Sequence, residues 1–215
     1  MKFPASHHRA IRLAAALLFV AVPACAQATK EGKEPKVAPA PALLLSPLAG
    51  QSIPVLPLTY VVADSAAGAA MPADLHTRLR WADSLIGEVL QMRGPEVTWL
   101  LGDELRRIAR RAPGTISDPD KMGQAMLRAD GLKRIPDPLF SQLRMLAALT
   151  NGRQVMVPAA ARFQSVPGGI RAEVVLVLAD ARSGALLWRS TPFAIAATPS
   201  AALAAAVARI LPDFN

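Results

Sequence analysis

The apolar positions in the central part of the chain recur at spacings typical of helices in some stretches and of strands in others. Intervals of three and four predict a helix that ends at residues 93–95, with the stripe Leu75, Leu79, Ala82, Ile86 and Val89. A second helix ending at residues 151–152 is predicted from Leu139, Leu143, Leu146 and Leu149. Such stripes need a sheet or another helix to cover them.

The longest strand pattern of the chain predicts an antiparallel hairpin. Alternate residues from 170 to 178 are apolar, whereas the other side of the strand begins with Arg171 and Glu173 before it also turns apolar, so one end faces water. In the turn that follows, Asp180 can bond backbone amides and Gly184 suits a left-handed conformation. Trp188 lies in the returning strand. We interpret these last three residues as structural, and Asp180 as no catalytic acid.

Shorter patterns complete the order of elements. Strands are predicted at residues 53–63, 97–101 and 153–163, the last of them weakened by Pro158. Further helix starts are indicated by Asp103, Asp118 and Asp137. The order predicts an α/β fold with a single domain, in which helices pack on a mixed sheet of about five strands that ends in an antiparallel hairpin.

The amino-terminal residues have the order of a secretory signal peptide, with basic residues ahead of an apolar run and small residues after it. We expect a signal peptide at residues 1–28, a Pro/Ala-rich linker at 29–50 and one α/β domain at 51–215. The sole cysteine, Cys25, follows Ala24 as in the signal of a bacterial lipoprotein, so one interpretation is that Cys25 is lipidated. The other, favoured by Pro23, is that the chain is cleaved after Cys25, which is then removed with the signal peptide. The expected location is periplasmic or extracellular, with a possible lipid anchor and no transmembrane helix in the mature form.

The basic residues of the chain indicate what kind of partner it binds. The formal net charge is +8, and its only dense charge feature is a basic stripe on one predicted helix face, made of Arg106, Arg107, Arg110 and Arg111. In an exported protein such a stripe favours an envelope protein or an anionic lipid or glycan surface, and not nucleic acid. The alternative is a solvated face paired with nearby acids.

The residue types available argue for a binding role more than for catalysis. Behind the expected signal peptide the chain has one histidine, His76, and no cysteine, which leaves little material for a His-based triad or a zinc site, and no phosphate-binding glycine motif is present. We therefore expect no catalytic, cofactor-binding or metal residues and no cofactor. The predicted function is a non-enzymatic accessory, binding or assembly protein of the cell envelope. The alternative is a carboxylate-dependent hydrolase acting on cell-wall or surface glycan.

The chain also resembles a bacterial envelope family. Its entry strand "IPVLPLTYVVA", its segment "LRMLAALTNGRQVMVPAAARF" and above all "VVLVLADARSGALLWRS" resemble the amino-terminal domain of TolB and the related proteins CsgG and LpoB. The resemblance covers residues 53–211. It implies that the hairpin carries the Asp, Gly and Trp of that family at Asp180, Gly184 and Trp188. It also implies accessory or assembly roles in the envelope without a shared catalytic residue.

Overall fold

A computed structural model of the chain describes residues 40–211. Predictions for residues 1–39, which include the signal peptide, Cys25 and the first part of the linker, lie outside the described residues. The helices are α1 Ser65–Ala69, α2 Leu75–Arg93, α3 Gly102–Arg111, α4 Leu139–Leu149 and α5 Pro199–Ala208. The strands are β1 Ser52–Pro54, β2 Val61–Ala63, β3 Thr98–Leu100, β4 Gln154–Val166, β5 Gly169–Asp180, β6 Leu186–Ser190 and β7 Phe193–Ala196.

The long antiparallel pair β4–β5 is the centre of the sheet. Its register is continuous from Gln154 opposite Asp180 to Val166 opposite Gly169, apart from one bulge between Pro158 and Ala160. The bulge lets the strand pass through Pro158, which has no amide to donate to the ladder. The predicted weak point is therefore accommodated without ending β4.

Interrupted strands flank this pair on both sides. Next to β5, β6 pairs with its last residues and β7 with its first, both antiparallel. Next to β4, β2 pairs in parallel, while β1 belongs to a separate two-stranded parallel sheet with β3. The five-stranded sheet has both parallel and antiparallel neighbours, so the predicted fold class is confirmed.

The sheet separates two apolar clusters. On one side α2 and α5 cover the strand residues Ala161, Phe163, Ala172, Val174, Leu176 and Leu178. On the other side α3, α4 and the short 3₁₀ helix Gln124–Arg128 cover Val155, Val157, Val175, Val177 and Ala179. The alternation of buried residues along β5 thus serves both clusters, which is why this strand is apolar on both faces beyond Glu173.

The folded part begins before residue 51, in contrast to the predicted linker at residues 29–50. Leu43, Leu45 and Leu48 are at most 5% exposed and belong to the cluster under α2 and α5. The Leu43 amide donates to the carbonyl of Ile210 at 2.6 Å, which ties this segment to the end of the domain. The physical reason is the apolar run of leucines, whose burial outweighs the tendency of the surrounding prolines to keep the segment extended.

The three predicted helix starts need correction. Asp137 lies one residue before the N-cap of α4, which is Pro138. Asp103 does not cap α3, because the N-cap residue is Leu101 and Asp103 lies in the first turn. Behind Asp118 there is only a 3₁₀ helix, Pro119–Lys121, although the Asp118 carboxylate does accept a hydrogen bond from the Asp120 amide. Within residues 40–211 no helix has both the length and the apolar content needed to cross a bilayer.

Candidate functional site

The predicted basic stripe on α3 is not a free cationic surface, because Arg106 is surrounded by carboxylates. Its guanidinium binds Asp120 in a bidentate pair at 2.8 and 2.7 Å and Asp103 at 2.8 Å, and its side chain is 12% exposed. Arg107 pairs with Glu104, one turn earlier, at 3.1 Å. For Arg106 and Arg107 the structure therefore agrees with the alternative interpretation, a helix face paired with nearby acids. Arg110 and Arg111 are exposed, and their role in partner binding stays a prediction.

A third carboxylate, that of Asp83 on α2, faces the same guanidinium. One of its oxygens accepts a hydrogen bond from the Leu58 amide at 2.6 Å, and the other lies 3.6 Å from Nη2 of Arg106 without a hydrogen-bond partner. Burial raises the pKa of Asp83 to about 7, which the Leu58 amide and Arg106 only partly oppose. The hydrogen bonds from Arg106 hold the pKa of Asp120 below its ordinary value.

Asp83, Asp103 and Asp120 form a carboxylate cluster around Arg106, and the first two of them line a cleft of about 230 Å³ between α2 and α3. Two acids with pKa values displaced in opposite directions are the pattern of a general acid and base pair. Here, however, both oxygens of Asp120 are bound by Arg106, and one oxygen of Asp83 is bound by a backbone amide. The cluster therefore joins α2, α3 and the segment at residues 118–121, and its geometry is that of a structural ion-pair network.

The hairpin residues are placed by the turn between β5 and β6. One oxygen of Asp180 accepts hydrogen bonds from the amides of Arg182 and Ser183 at 2.8 Å, and the other binds Nε of Arg153 at 2.7 Å. Burial acts to raise the pKa of Asp180, but these three donors outweigh it, and the pKa is lowered. Gly184 has φ +74°. Trp188 is half-buried, and its indole donates to the carbonyl of Ala42 at 3.2 Å.

Residues 40–211 leave an area of the sheet uncovered, which we call the open face. It lies at the end of the β4–β5 hairpin, on the side that α3 and α4 cover further along. Its residues are Tyr60, Val62, Arg162, Gln164, Arg171, Glu173, Phe193 and Ile195. The strand register sets them side by side: one row joins Val62, Arg162, Glu173 and Phe193, and the next joins Gln164, Arg171 and Ile195.

Apolar and cationic groups alternate on the open face. Ile195, Val62 and Tyr60 are 50%, 40% and 37% exposed. Glu173 lies 3.3 Å from both Arg162 and Arg171, and the Arg171 guanidinium also lies 4.1 Å from the centre of the Phe193 ring.

A third arginine borders the open face. Arg128 stacks on the Tyr60 ring at 4.2 Å and donates to the carbonyl of Ala159. The open face and its border thus carry three arginines and one carboxylate, that of Glu173, which pairs with Arg162 and Arg171. Sequence reasoning noticed the polar beginning of β5 but could not see that β2, β4 and β7 would place their exposed residues beside it.

Comparison with known proteins finds likeness only to solved structures. No protein-family model matches the chain, and no curated protein does. The chain is similar to the LpoB C-terminal domain from Salmonella enterica, with 12% identity and a TM-score of 0.43, over 69% of this chain and 84% of that one. It is similar to the PelC dodecamer subunit from Paraburkholderia phytofirmans, with 14% identity and a TM-score of 0.38, over 82% and 96% of the two chains.

A third similar structure is E. coli LpoB, with 10% identity and a TM-score of 0.37, over 91% of this chain and 90% of that one. LpoB is thus represented among the similar structures, as the sequence resemblance implied, while likeness to TolB and CsgG stays a prediction. Because all these TM-scores lie below 0.5, the function of the chain is argued from its own residues.

The pKa of Asp83 predicts a specific pH dependence of stability. The folded-state pKa of Asp83, near 7, lies above the ordinary 3.8, so the folded protein holds this proton more tightly than the unfolded chain. The resulting contribution to stability is complete below pH 3.8 and is lost as the pH rises through 7. Chemical unfolding at pH 5 and pH 8.5 measures this effect. Between these two pH values the free energy of unfolding of the wild type should fall by on the order of 2 kcal/mol relative to that of Asp83→Asn. Asp74→Asn is the control, because the pKa of Asp74 is lowered and it titrates below this window. Parallel profiles of the wild type and Asp83→Asn would contradict the assignment.

The turn conformation predicts a difference between two glycines of similar φ. A Cβ at Gly184 would lie 3.1 Å from the Phe140 ring, whereas one at Gly114, φ +79°, would meet nothing within 4 Å. Gly114→Ala should lower the free energy of unfolding by about 1–2 kcal/mol through backbone strain alone. Gly184→Ala should lower it further, because the ring must also move. Thermal or urea unfolding measures both, and an equal or smaller loss for Gly184→Ala would show that the hairpin is not packed in this way.

Proposed function

We propose that this protein is an exported, non-enzymatic binding or assembly protein of the bacterial cell envelope, and that the open face is its binding surface. The observation that carries the proposal is the half-covered sheet: helices cover one side throughout and the other side only beyond Glu173. The signal-like amino terminus favours a periplasmic or extracellular location. Lipidation of Cys25 would add a membrane anchor to the same role.

The composition of the open face supports a protein partner. Interfaces are enriched in aromatic residues and arginine, and exposed apolar side chains gathered in one patch mark interaction surfaces. The open face combines Tyr60, Phe193 and Ile195 with three arginines on a rigid sheet. Two of these arginines are stacked on aromatic rings, so they lose little conformational freedom when a partner binds.

The charges of the open face select the partner. The open face and its border carry three arginines, Arg128, Arg162 and Arg171, but a single carboxylate, Glu173, which pairs with the last two, so the surface is cationic. Electrostatic complementarity therefore favours an acidic protein surface that also offers apolar side chains to Val62 and Ile195.

The proposal that the protein is non-enzymatic rests on the structural roles of its carboxylates. Asp64 and Asp74 cap α1 and α2, and Asp180 closes the hairpin turn. Asp103 and Asp120 bind Arg106. The raised pKa of Asp83 is the one observation that favours the alternative, a carboxylate-dependent glycan hydrolase. Burial of the carboxyl group causes that rise, against the lowering effect of the hydrogen bond from the Leu58 amide.

The experiment is cross-linked capture from a bacterial envelope extract with the wild type and three variants. Ile195→Glu places a negative charge on the open face, Ile195→Lys places a positive one there, and Leu187→Glu makes the matched change at a site of equal exposure on β6, 48% against 50%. We expect one partner to be captured by the wild type and Leu187→Glu, less by Ile195→Lys and least by Ile195→Glu.

The amounts of partner captured by the variants, compared with each other, test the proposal. A larger loss of capture with Ile195→Glu than with Ile195→Lys identifies an acidic partner on the open face. Equal capture by all four proteins, or a loss with Leu187→Glu as large as with Ile195→Glu, would refute the open face as the binding surface.

A further inference from the structure

Three arginines surround two adjoining clefts at the carboxyl end of α4. This group is remote in sequence from most of the open face. One cleft, of about 240 Å³, is lined by Arg144, Arg153 and Arg182. The other, of about 350 Å³, shares Arg153 and Arg182 and extends to Gln51 and Asn151. Neither proposed partner binding nor the carboxylate cluster makes use of these side chains.

Backbone hydrogen bonds hold the elements that carry the arginines. The Ala181 amide donates to the carbonyl of Arg153 at 2.8 Å, which fixes the start of β4 against the end of β5, next to Arg182. The Gly152 amide donates to the carbonyl of Ala147 at 2.9 Å, which fixes the same point against α4. The three side chains therefore start from a rigid base.

The charge at this site is not balanced by residues 40–211. None of their carboxylates lines either cleft, and Asp180, which binds Arg153, is 3% exposed. Arg144 and Arg182 have no ion-pair partner within residues 40–211; Arg144 only approaches the Phe140 ring, at 6.0 Å. Two positive charges thus remain uncompensated.

Capping the helix end is the simpler explanation for cations at this place, but two of the last carbonyls of α4 have other donors. The Leu146 carbonyl accepts from both the amide and the hydroxyl of Thr150, at 3.0 and 2.9 Å. The Ala147 carbonyl accepts from the Gly152 amide. The carbonyls of Leu146 and Ala147 are therefore satisfied by the chain that follows the helix.

We propose that the clefts bounded by Arg144, Arg153 and Arg182 bind a phosphate-type oxyanion. Guanidinium groups bind such oxyanions through paired, charge-assisted hydrogen bonds. The same chemistry is offered by a free phosphate and by a phospholipid headgroup. Met145 and Leu149, each 43% exposed on α4 beside the arginines, provide apolar contact with the acyl boundary if the phosphate belongs to a lipid.

The test measures phosphate binding by the purified protein in two forms. Inorganic phosphate is titrated while the Nε–Hε signals of the arginines are followed by NMR, and sedimentation is measured with phosphatidylglycerol/phosphatidylcholine vesicles and with phosphatidylcholine vesicles. The double variant Arg144→Gln/Arg182→Gln should weaken binding of at least one of the two forms about tenfold or more. Arg153 is left intact because it binds Asp180.

The double variant Lys121→Gln/Lys133→Gln removes the same charge from exposed positions between α3 and α4 and is the control. Binding of free phosphate but not of vesicles supports a soluble phosphate, and binding of the anionic vesicles supports a headgroup. Absence of both, equal weakening by the two double variants, or weakening by the lysine variant alone would overturn the proposal, since the attraction would then be absent or not local to the clefts.

Discussion

The pairing of β4 with β5 is the interaction on which the rest of the structure depends. Every other strand of the larger sheet pairs with one of these two, and both apolar clusters contain their side chains. Because the side chains of a strand alternate between faces, the register of this pair decides which residues meet the helices on either side. The bulge at Pro158–Ala160 keeps that register compatible with a proline in the strand.

The same register creates the open face. Arg162 lies opposite Glu173, and Gln164 lies opposite Arg171, so the polar ends of both strands form one surface. A slip of one residue would turn these charges into the cluster under α2 and α5, at a large cost in desolvation. The polar residues therefore fix the pairing as well as leaving one end of the sheet available for a partner.

Local patterns in the sequence were enough to predict α2, α4, the hairpin and the fold class, because apolar spacing reports directly on a buried helix or strand face. They were not enough to predict the environment of Arg106, which the sequence placed in a basic stripe. Asp83 and Asp120 reach it from other elements, and only the packing of α2 on α3 brings the three together. The buried leucines before residue 51 were missed because neighbouring prolines hide their pattern. The open face was indicated only by Arg171 and Glu173.

Radical footprinting of the protein in intact envelopes, compared with the purified protein, tests the central claim most directly. Tyr60 and Phe193 report on the open face, and Met92, 75% exposed on α2, is the internal reference. If the open face binds a partner, modification of Tyr60 and Phe193 falls in the envelope while that of Met92 is unchanged. Equal modification of Tyr60 and Phe193 in both states would contradict the account.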